Sequence, residues 1–270
     1  MSPTLYTFGL SVWGAVAELA VAELDVPVEQ VSISVAEGEN FKPEYLKINP
    51  EATVPSLVAE DGKAYTNSTD IVKYIISIAP KKVAPGNAEL IAKVHEDGID
   101  PNFVLLTARN DEEFANAQKG FAYSYVNNRQ NSLQKHSASP EGAPFTDFYA
   151  NKLVGNTKLV KLFNGEVPNA EWYEISTKHW KAVVSFITDY LPTVLPESGF
   201  IDGAEPGEDD FHVGAWLTRV TWVAGATNAP EGLKPIEKEL GGPVPEKVVK
   251  YWQAWQKRPS FQKVYEKTLH

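Results

Sequence analysis

The stretch KPEYLKINPEATVPSLVAEDGKAYTNSTDIVKYI, residues 42–75, decides the fold. Asp61-Gly62 stands between two short apolar runs, which is a strong signal for a hairpin of two antiparallel strands. The helical pattern that follows begins at Asn67, and Asp70 comes three residues later, an arrangement typical of a helix cap. The stretch therefore predicts a strand, a turn, a second strand and a helix.

Upstream of this stretch the apolar pattern changes from strand to helix and back. Residues 4–10 predict a short strand, and the Ala/Glu/Leu-rich segment Val12–Leu24 predicts a helix. Apolar and serine residues alternate in 28–35, which predicts a second strand, and 41–49 predicts a short helix. The order β-α-β-α-β-β-α implies one parallel pair and an antiparallel edge hairpin.

Downstream, the segment PKKVAPGN has two prolines and a glycine and is interpreted as a linker. Residues 88–120 then predict one long helix, kinked near Pro101. Residues 123–170 are polar and are predicted to be irregular. Helical patterns return in three segments, of which the second is apolar nearly all round and predicts a buried central helix: 171–191, 209–226 and 246–265, the last interrupted at Pro259.

Composition excludes several classes of function. The chain has 270 residues, 25 Lys+Arg and 35 Asp+Glu, so its formal net charge of −10 argues against nucleic-acid binding. It has no cysteine, which excludes disulfides, thiolate metal sites and a protein thiol as nucleophile. No signal-peptide pattern or long apolar run is found, so we expect a cytoplasmic location without a membrane span. In that location the sequon at Asn67 is not glycosylated, which leaves a helix cap or the rim of a ligand site.

Motifs at fixed spacing make the chain similar to the glutathione transferase superfamily. The segment GEDDFHVGAWL resembles the capping box that opens the family's core helix, and YWQAWQKRPSFQKV resembles its closing segment. The densest match is to the family pattern of Asn-Pro, Val-Pro-x-Leu, a hairpin and a Ser-initiated helix: Asn49, Pro50, Val54, Pro55, Leu57, Ser68, Ile71, Tyr74 and Ile75.

The resemblance implies an α/β thioredoxin-like N-terminal domain followed by an all-α C-terminal domain. We place the glutathione-binding domain at 1–80, the linker at 81–88 and the helical domain at 89–270. The segment 120–175 is longer than the corresponding loop of the family and is treated as an insertion. The family is commonly dimeric, so a homodimer is expected.

Four positions depart from the family pattern. Asn67 stands where the family has Glu or Gln, and Asp70 stands where it has Ala. Gly207 replaces the capping Ser or Thr, and Ala15 lies where a basic residue is often found. These departures keep open a transferase-fold protein without catalysis.

Ser11 is the candidate catalytic residue, since the resemblance places it where Ser-type transferases keep a thiolate-stabilising hydroxyl. A free thiol with a pKa of about 8.5 is only a few per cent ionised at pH 7. A hydrogen bond to a charged group contributes about 1.5–3 kcal/mol, enough to lower that pKa by roughly one to two units. Ser11 could instead be only the cap of the first helix, and Tyr6 is the rival donor.

Further residues are candidates for holding glutathione. A cis proline after Val54 would leave the Val54 backbone free to pair with the cysteinyl backbone, although an ordinary strand start is the alternative. A helix start binds carboxylates, so the γ-glutamyl end is expected near Asn67. Asn40 and Lys42 could face the glycine carboxylate or could simply be solvated. The full set of predicted glutathione-binding residues is Ser11, Asn40, Lys42, Val54, Pro55, Asn67 and Ser68.

The implied activity is the conjugation of the glutathione thiolate to hydrophobic electrophiles, as in detoxification. Glutathione is then the co-substrate, and the acceptor lies between the domains. The predicted acceptor contacts are Trp13, Phe103, Asn110 and Trp216.

Two other functions remain open, a carrier of apolar small molecules and an assembly module like the transferase-like region of the elongation factor gamma subunit. A metal site is not expected, because the five histidines show no metal-binding spacing: His95, His136, His179, His212 and His270.

Overall fold

The computed structural model describes residues 2–270, which form a small mixed sheet flanked by helices and a larger helical region. The N-terminal part contains four strands and three helices: β1 (Thr4–Thr7), α1 (Val12–Leu24), β2 (Glu29–Ser32), α2 (Pro43–Leu46), β3 (Ser56–Val58), β4 (Ala64–Tyr65) and α3 (Ser68–Ile78). This order confirms the one predicted from the sequence.

The sheet has the strand order β2-β1-β3-β4. Strand β1 pairs in parallel with β2, from Thr4 opposite Glu29 to Thr7 opposite Ser32. It pairs antiparallel with β3. Strands β3 and β4 form the predicted antiparallel hairpin around Asp61-Gly62. β1 is shorter than predicted and ends at Thr7, so residues 8–10 form the turn that leads into α1.

Helix α1 lies very close to β1, and Gly14 makes this possible. A Cβ atom at Gly14 would lie 2.6 Å from the Thr7 side-chain oxygen, so only glycine fits. Thr7 in turn donates a hydrogen bond of 2.6 Å to Glu18 on the same helix. The close approach fixes the start of α1 against the sheet. Ser11 directly precedes this helix and is positioned by the same packing.

The remaining helices form the larger region, which is joined to the first by residues 79–87. They are α4 (Ala88–Val94), α5 (Pro101–Val104), α6 (Asp111–Ala117), α7 (Phe121–Ser137), α8 (Thr146–Phe163), α9 (Ala170–Ser185), α10 (Leu191–Val194), α11 (Glu208–Val223), α12 (Lys234–Leu240), α13 (Glu246–Gln256) and α14 (Pro259–Val264).

The prediction of one long helix over 88–120 is wrong. The structure breaks this segment into α4, α5 and α6, with a 3₁₀ turn at Asp97–Ile99. Pro101 has no N–H to continue a helix, and it occupies the first position of α5 instead. The Asp100 side chain caps this new start by accepting the Asn102 N–H at 3.0 Å.

The prediction that 123–170 is irregular is also wrong, because α7 and α8 form a helical pair there. The pair packs on the turn that precedes α2. Ser132 donates a 2.8 Å hydrogen bond to the Gly38 carbonyl, and Tyr149 donates one of 2.8 Å to the Phe41 carbonyl. Gly38 has a φ of 71° and leaves no room for a Cβ beside Ser132. The segment predicted to be an insertion therefore forms an ordered helical pair that packs on the N-terminal domain.

Helix α11 is the predicted central helix, and 14 of its 16 residues are buried. The Asp210 carboxylate accepts the Gly207 N–H at 3.0 Å, which confirms the predicted capping role of Asp210. Asp209 accepts the Asn87 N–H at 2.8 Å and so ties the linker to this helix. Within the described part of the chain, no helix is long and apolar enough to cross a membrane.

Candidate functional site

A cavity of about 350 Å³ lies between the N-terminal domain and helices α5, α7 and α11. That volume is in the range of small-molecule sites. Its walls are mainly apolar, and four of the predicted site residues on the N-terminal side lie on it: Ser11, Trp13, Asn40 and Val54. The larger region contributes the predicted residue Phe103, together with Leu106 and Phe121.

Ser11 is the cap of α1, as the sequence predicts. Its Oγ accepts the Gly14 N–H at 3.1 Å, and its backbone N–H donates to the Phe8 carbonyl at 2.7 Å. Because the hydroxyl accepts in the cap, its own hydrogen remains available to a ligand. The same side chain lines the cavity, so the cap and a binding role are compatible.

Val54 and Asn40 form the adjoining wall. The Val54-Pro55 peptide bond is cis, as predicted, and Val54 lines the cavity. Asn40 is buried and donates a 2.7 Å hydrogen bond to the Ala52 carbonyl. Its Oδ1 has no partner among residues 2–270. This carbonyl oxygen is an acceptor that a ligand N–H could satisfy.

Two arginines that sequence reasoning missed also line the cavity, one on α7 and one on α11. The Arg129 guanidinium lies 4.6 Å from the centre of the Phe41 ring, in a cation–π contact. The Arg219 side chain is only 1% exposed, and its Nη2 donates to the Leu10 carbonyl, the residue before Ser11. Burial lowers the pKa of Arg219 to about 10, which still leaves it charged at neutral pH.

The other predicted contacts lie elsewhere. The Lys42 side chain is half exposed and pairs with Glu39 at 2.7 Å. Asn110 caps α6 by accepting the Glu113 N–H at 2.9 Å. Trp216 is fully buried in the core, where its indole N–H donates to the Ile99 carbonyl at 3.0 Å. The structure therefore does not bring Lys42, Asn110 or Trp216 to the cavity.

The start of α3 also stands apart from the cavity lining. Asn67 caps the helix by accepting the Asp70 N–H at 2.9 Å, which confirms the cap predicted from the sequence. Its amide nitrogen donates to the Asp70 carboxylate at 2.8 Å, so both ends of the amide are used within the helix. Ser68 follows at the first helical position and is buried.

Tyr6, the rival donor for the thiolate, does not line the cavity. It lies on β1, and its ring packs edge-on against Tyr45 with centroids 6.1 Å apart. Cavity placement therefore favours Ser11 over Tyr6 as a donor to a bound ligand.

Two histidines that are far apart in the sequence meet in the larger region, one at the end of α4 and one in α11. His95 Nε2 and His212 Nδ1 lie 2.9 Å apart, and the His95 ring stacks on Trp13 with centroids at 3.9 Å. Burial lowers the pKa of His95 to about 4 and that of His212 well below its usual value, so both are neutral at pH 7. No group of three metal-liganding side chains occurs anywhere in residues 2–270.

Residues 5–83 match the family model described as "Glutathione S-transferase, N-terminal domain". This match assigns the N-terminal domain to the glutathione transferase superfamily. A curated relative, maleylacetoacetate isomerase maiA of Aspergillus fumigatus, is 32% identical to this chain over 81 residues. That match covers 28% of this chain and 35% of the isomerase, about a third of its length.

Solved structures extend the likeness to the whole fold. The β-etherase LigF from Sphingobium superposes with a TM-score of 0.60 at 16% identity, covering 99% of this chain and 100% of LigF. A glutathione transferase homologue from Sulfitobacter, solved with bound glutathione, gives a TM-score of 0.53 at 16% identity, covering 100% and 99%. At these identities the likeness establishes the architecture of a mixed-sheet domain followed by a helical one.

Proposed function

We propose that the protein is an enzyme that conjugates the glutathione thiolate to hydrophobic electrophiles. One observation carries the proposal: the capping hydroxyl of Ser11 lines the same interdomain cavity as the Val54 edge of the sheet domain. A thiol placed at this helix start meets a hydrogen-bond donor and the positive end of the α1 dipole. Both favour the thiolate over the thiol.

Glutathione is placed by the polar groups of the N-terminal wall. The thiolate accepts a hydrogen bond from the Ser11 hydroxyl. The cysteinyl backbone pairs with the Val54 backbone as an added strand would. The unpaired Asn40 Oδ1 accepts a ligand N–H. The γ-glutamyl carboxylate is assigned to the start of α3 at Asn67 and Ser68, since the first N–H groups of a helix lack intrahelical partners.

Arg129 replaces Lys42 in this proposal as the partner of the glycine carboxylate. The guanidinium of Arg129 lies over Phe41, next to Lys42 in sequence, and lines the cavity. Lys42 is committed to its ion pair with Glu39. An arginine can bind a carboxylate through two parallel hydrogen bonds, which a lysine cannot do. In this arrangement the inserted helix α7 completes the glutathione site.

The chemical step is a nucleophilic substitution. The thiol loses its proton to solvent, the thiolate sulfur forms a bond to the electrophilic carbon, and the leaving group departs with the electron pair of its bond. Ser11 stabilises the thiolate before attack by about 1.5–3 kcal/mol. Trp13, Phe103 and Leu106 form apolar walls on which a flat acceptor can stack.

The experiment is a conjugation assay with glutathione and an activated aryl halide, run together with a binding measurement. Turnover that saturates in glutathione supports the proposed enzyme. Glutathione binding without turnover would identify the carrier of apolar molecules instead. Absence of both would leave the assembly module. The homodimer and the cytoplasmic location stay predictions, and light scattering on the purified protein tests the first.

A further inference from the structure

The buried guanidinium of Arg219 is the most unusual group in the cavity. Only its Nη2 has an acceptor, the Leu10 carbonyl, while Nε and Nη1 have no partner among residues 2–270. The side chain is 1% exposed, so little of the guanidinium is open to bulk water. Truly unpaired buried charges are rare, because desolvating an ion costs several kcal/mol unless a counter-charge offsets it.

No carboxylate among residues 2–270 accepts a hydrogen bond from this guanidinium. Asp100 attracts the guanidinium at a distance, while its carboxylate accepts the Asn102 N–H in capping α5. The Trp222 ring lies 5.0 Å away and gives only a cation–π contact. From the C-terminal segment, Tyr265 and His270 face Arg219, and burial raises the pKa of Tyr265 and lowers that of His270, so both are neutral at pH 7.

We propose that the electrophile accepted at this site carries a carboxylate, which binds Arg219 in the completed complex. The inference rests on the proposed function and names its substrate class. Arg219 donates to Leu10, and Leu10 directly precedes Ser11, so an anion on this guanidinium lies beside the thiolate. The substrate is then an aromatic or aliphatic electrophile with an apolar body against Phe103 and an acidic group at its end.

Glutathione itself does not account for Arg219. Its glycine carboxylate is assigned to Arg129, on the opposite helix α7, and its γ-glutamyl carboxylate is assigned to the start of α3. The start of α3 is in the N-terminal domain and Arg129 is on α7, whereas Arg219 belongs to the core helix α11 and lines the cavity. The anion that fits Arg219 therefore comes with the second substrate.

Two glutathione conjugates that differ only in the acidic group test this inference by calorimetry. S-(4-carboxybenzyl)glutathione should bind the wild-type protein at least about tenfold more tightly than S-benzylglutathione, as expected for a hydrogen bond to a charged group. The advantage should vanish in Arg219→Gln and be partly kept in Arg219→Lys. The matched control Arg129→Gln should weaken both conjugates by the same factor.

Each result decides between the proposals. Equal affinity of the two conjugates for the wild-type protein would overturn the carboxylate inference and leave glutathione conjugation intact. An advantage that survives in Arg219→Gln would also overturn it, by locating the anion elsewhere. If neither conjugate binds the wild-type protein, glutathione recognition itself fails. The wild-type comparison and Arg219→Lys keep the test valid should Arg219→Gln not fold.

Discussion

Replacing Ser11 by alanine separates the two roles that its hydroxyl plays. The Oγ accepts the Gly14 N–H at 3.1 Å, and its hydrogen is free to donate into the cavity. Ser11→Ala therefore removes a helix cap from the protein and a hydrogen-bond donor from the glutathione thiolate. The first loss affects stability, and the second affects the pKa of the bound thiol.

Both magnitudes follow from these contacts. Loss of a hydrogen bond to a charged group costs about 1.5–3 kcal/mol, which raises the pKa of the bound thiol by roughly one to two units. Because the rate follows the thiolate fraction, and a thiol with a pKa of about 8.5 is still about 3% ionised at pH 7, conjugation at pH 7 should fall roughly 10- to 25-fold. Loss of the cap costs about 1 kcal/mol and should lower Tm by about 2–4 °C.

The assay is the rate of conjugation against pH at fixed acceptor concentration. The deficit of Ser11→Ala should shrink as pH rises and disappear where the thiol ionises without help. Ser11→Thr, which keeps a capping hydroxyl, should stay near the wild-type profile. Asn87→Ala removes the cap of α4, where Asn87 accepts the Glu89 N–H at 2.9 Å, and should lower Tm without moving the profile. A Ser11→Ala rate equal to wild type at pH 7, or reduced equally at every pH, would refute the reasoning.

Two further predictions concern stability. The Glu23 carboxylate on α1 is 5% exposed and pairs with Arg258. Arg258→Met leaves this buried charge without its partner, which should lower the free energy of unfolding by about 3 kcal/mol and Tm by roughly 6–12 °C. The control Lys250→Met breaks an exposed ion pair and should change Tm far less. A drop in Tm no larger than that of Lys250→Met would contradict this. Burial lowers the pKa of His95 from 6.5 to about 4, so the unfolded chain binds more protons between these values and stability should fall by up to about 3 kcal/mol as pH drops from 6.5 to 4. In urea unfolding, the free energy of unfolding of His95→Gln should fall less steeply over that pH range than that of the wild-type protein. His212 should account for part of the fall that remains. An unchanged dependence of stability on pH would contradict the role of the histidine pair.

Local sequence signals predicted the sheet domain well. Asp61-Gly62 specifies a hairpin, and the period-two pattern in 28–35 specifies a strand, because each signal depends only on nearby residues. The same is true of the caps at Ser11 and Asn67, both of which the structure confirms. These features place the helix start and the sheet edge that define one side of the cavity.

The insertion was mispredicted because its helices carry little apolar signal. Helix α7 buries only four of its 17 residues, among them Val126 and Leu133. A helix that is mostly polar gives almost no periodic pattern, and its stability comes from docking on Gly38 and its neighbours. That docking joins residues about 94 positions apart in sequence, and no local pattern reports such a contact.

The arginines of the site were missed for a related reason. Arg219 is placed at the site by its hydrogen bond to the Leu10 carbonyl, 209 residues earlier in the chain. A usable signal was nevertheless present, since AWLTRVTW places one cation in a run that is otherwise apolar apart from two threonines. An isolated charge in such a run predicts a buried ion, and a buried ion predicts a partner or a ligand. Arg129 offered no comparable signal, because it stands in a polar run.

Titration of the wild-type protein with glutathione tests the central claim most directly. Thermal unfolding is followed with increasing glutathione up to millimolar concentrations, and calorimetry gives the affinity independently. If the ligand reaches 100 times its dissociation constant, stability rises by about 2.7 kcal/mol, which should raise Tm by roughly 5–11 °C. The cavity at Ser11 predicts a saturable rise of this kind. No shift in Tm and no heat of binding at millimolar glutathione would contradict the proposed glutathione site.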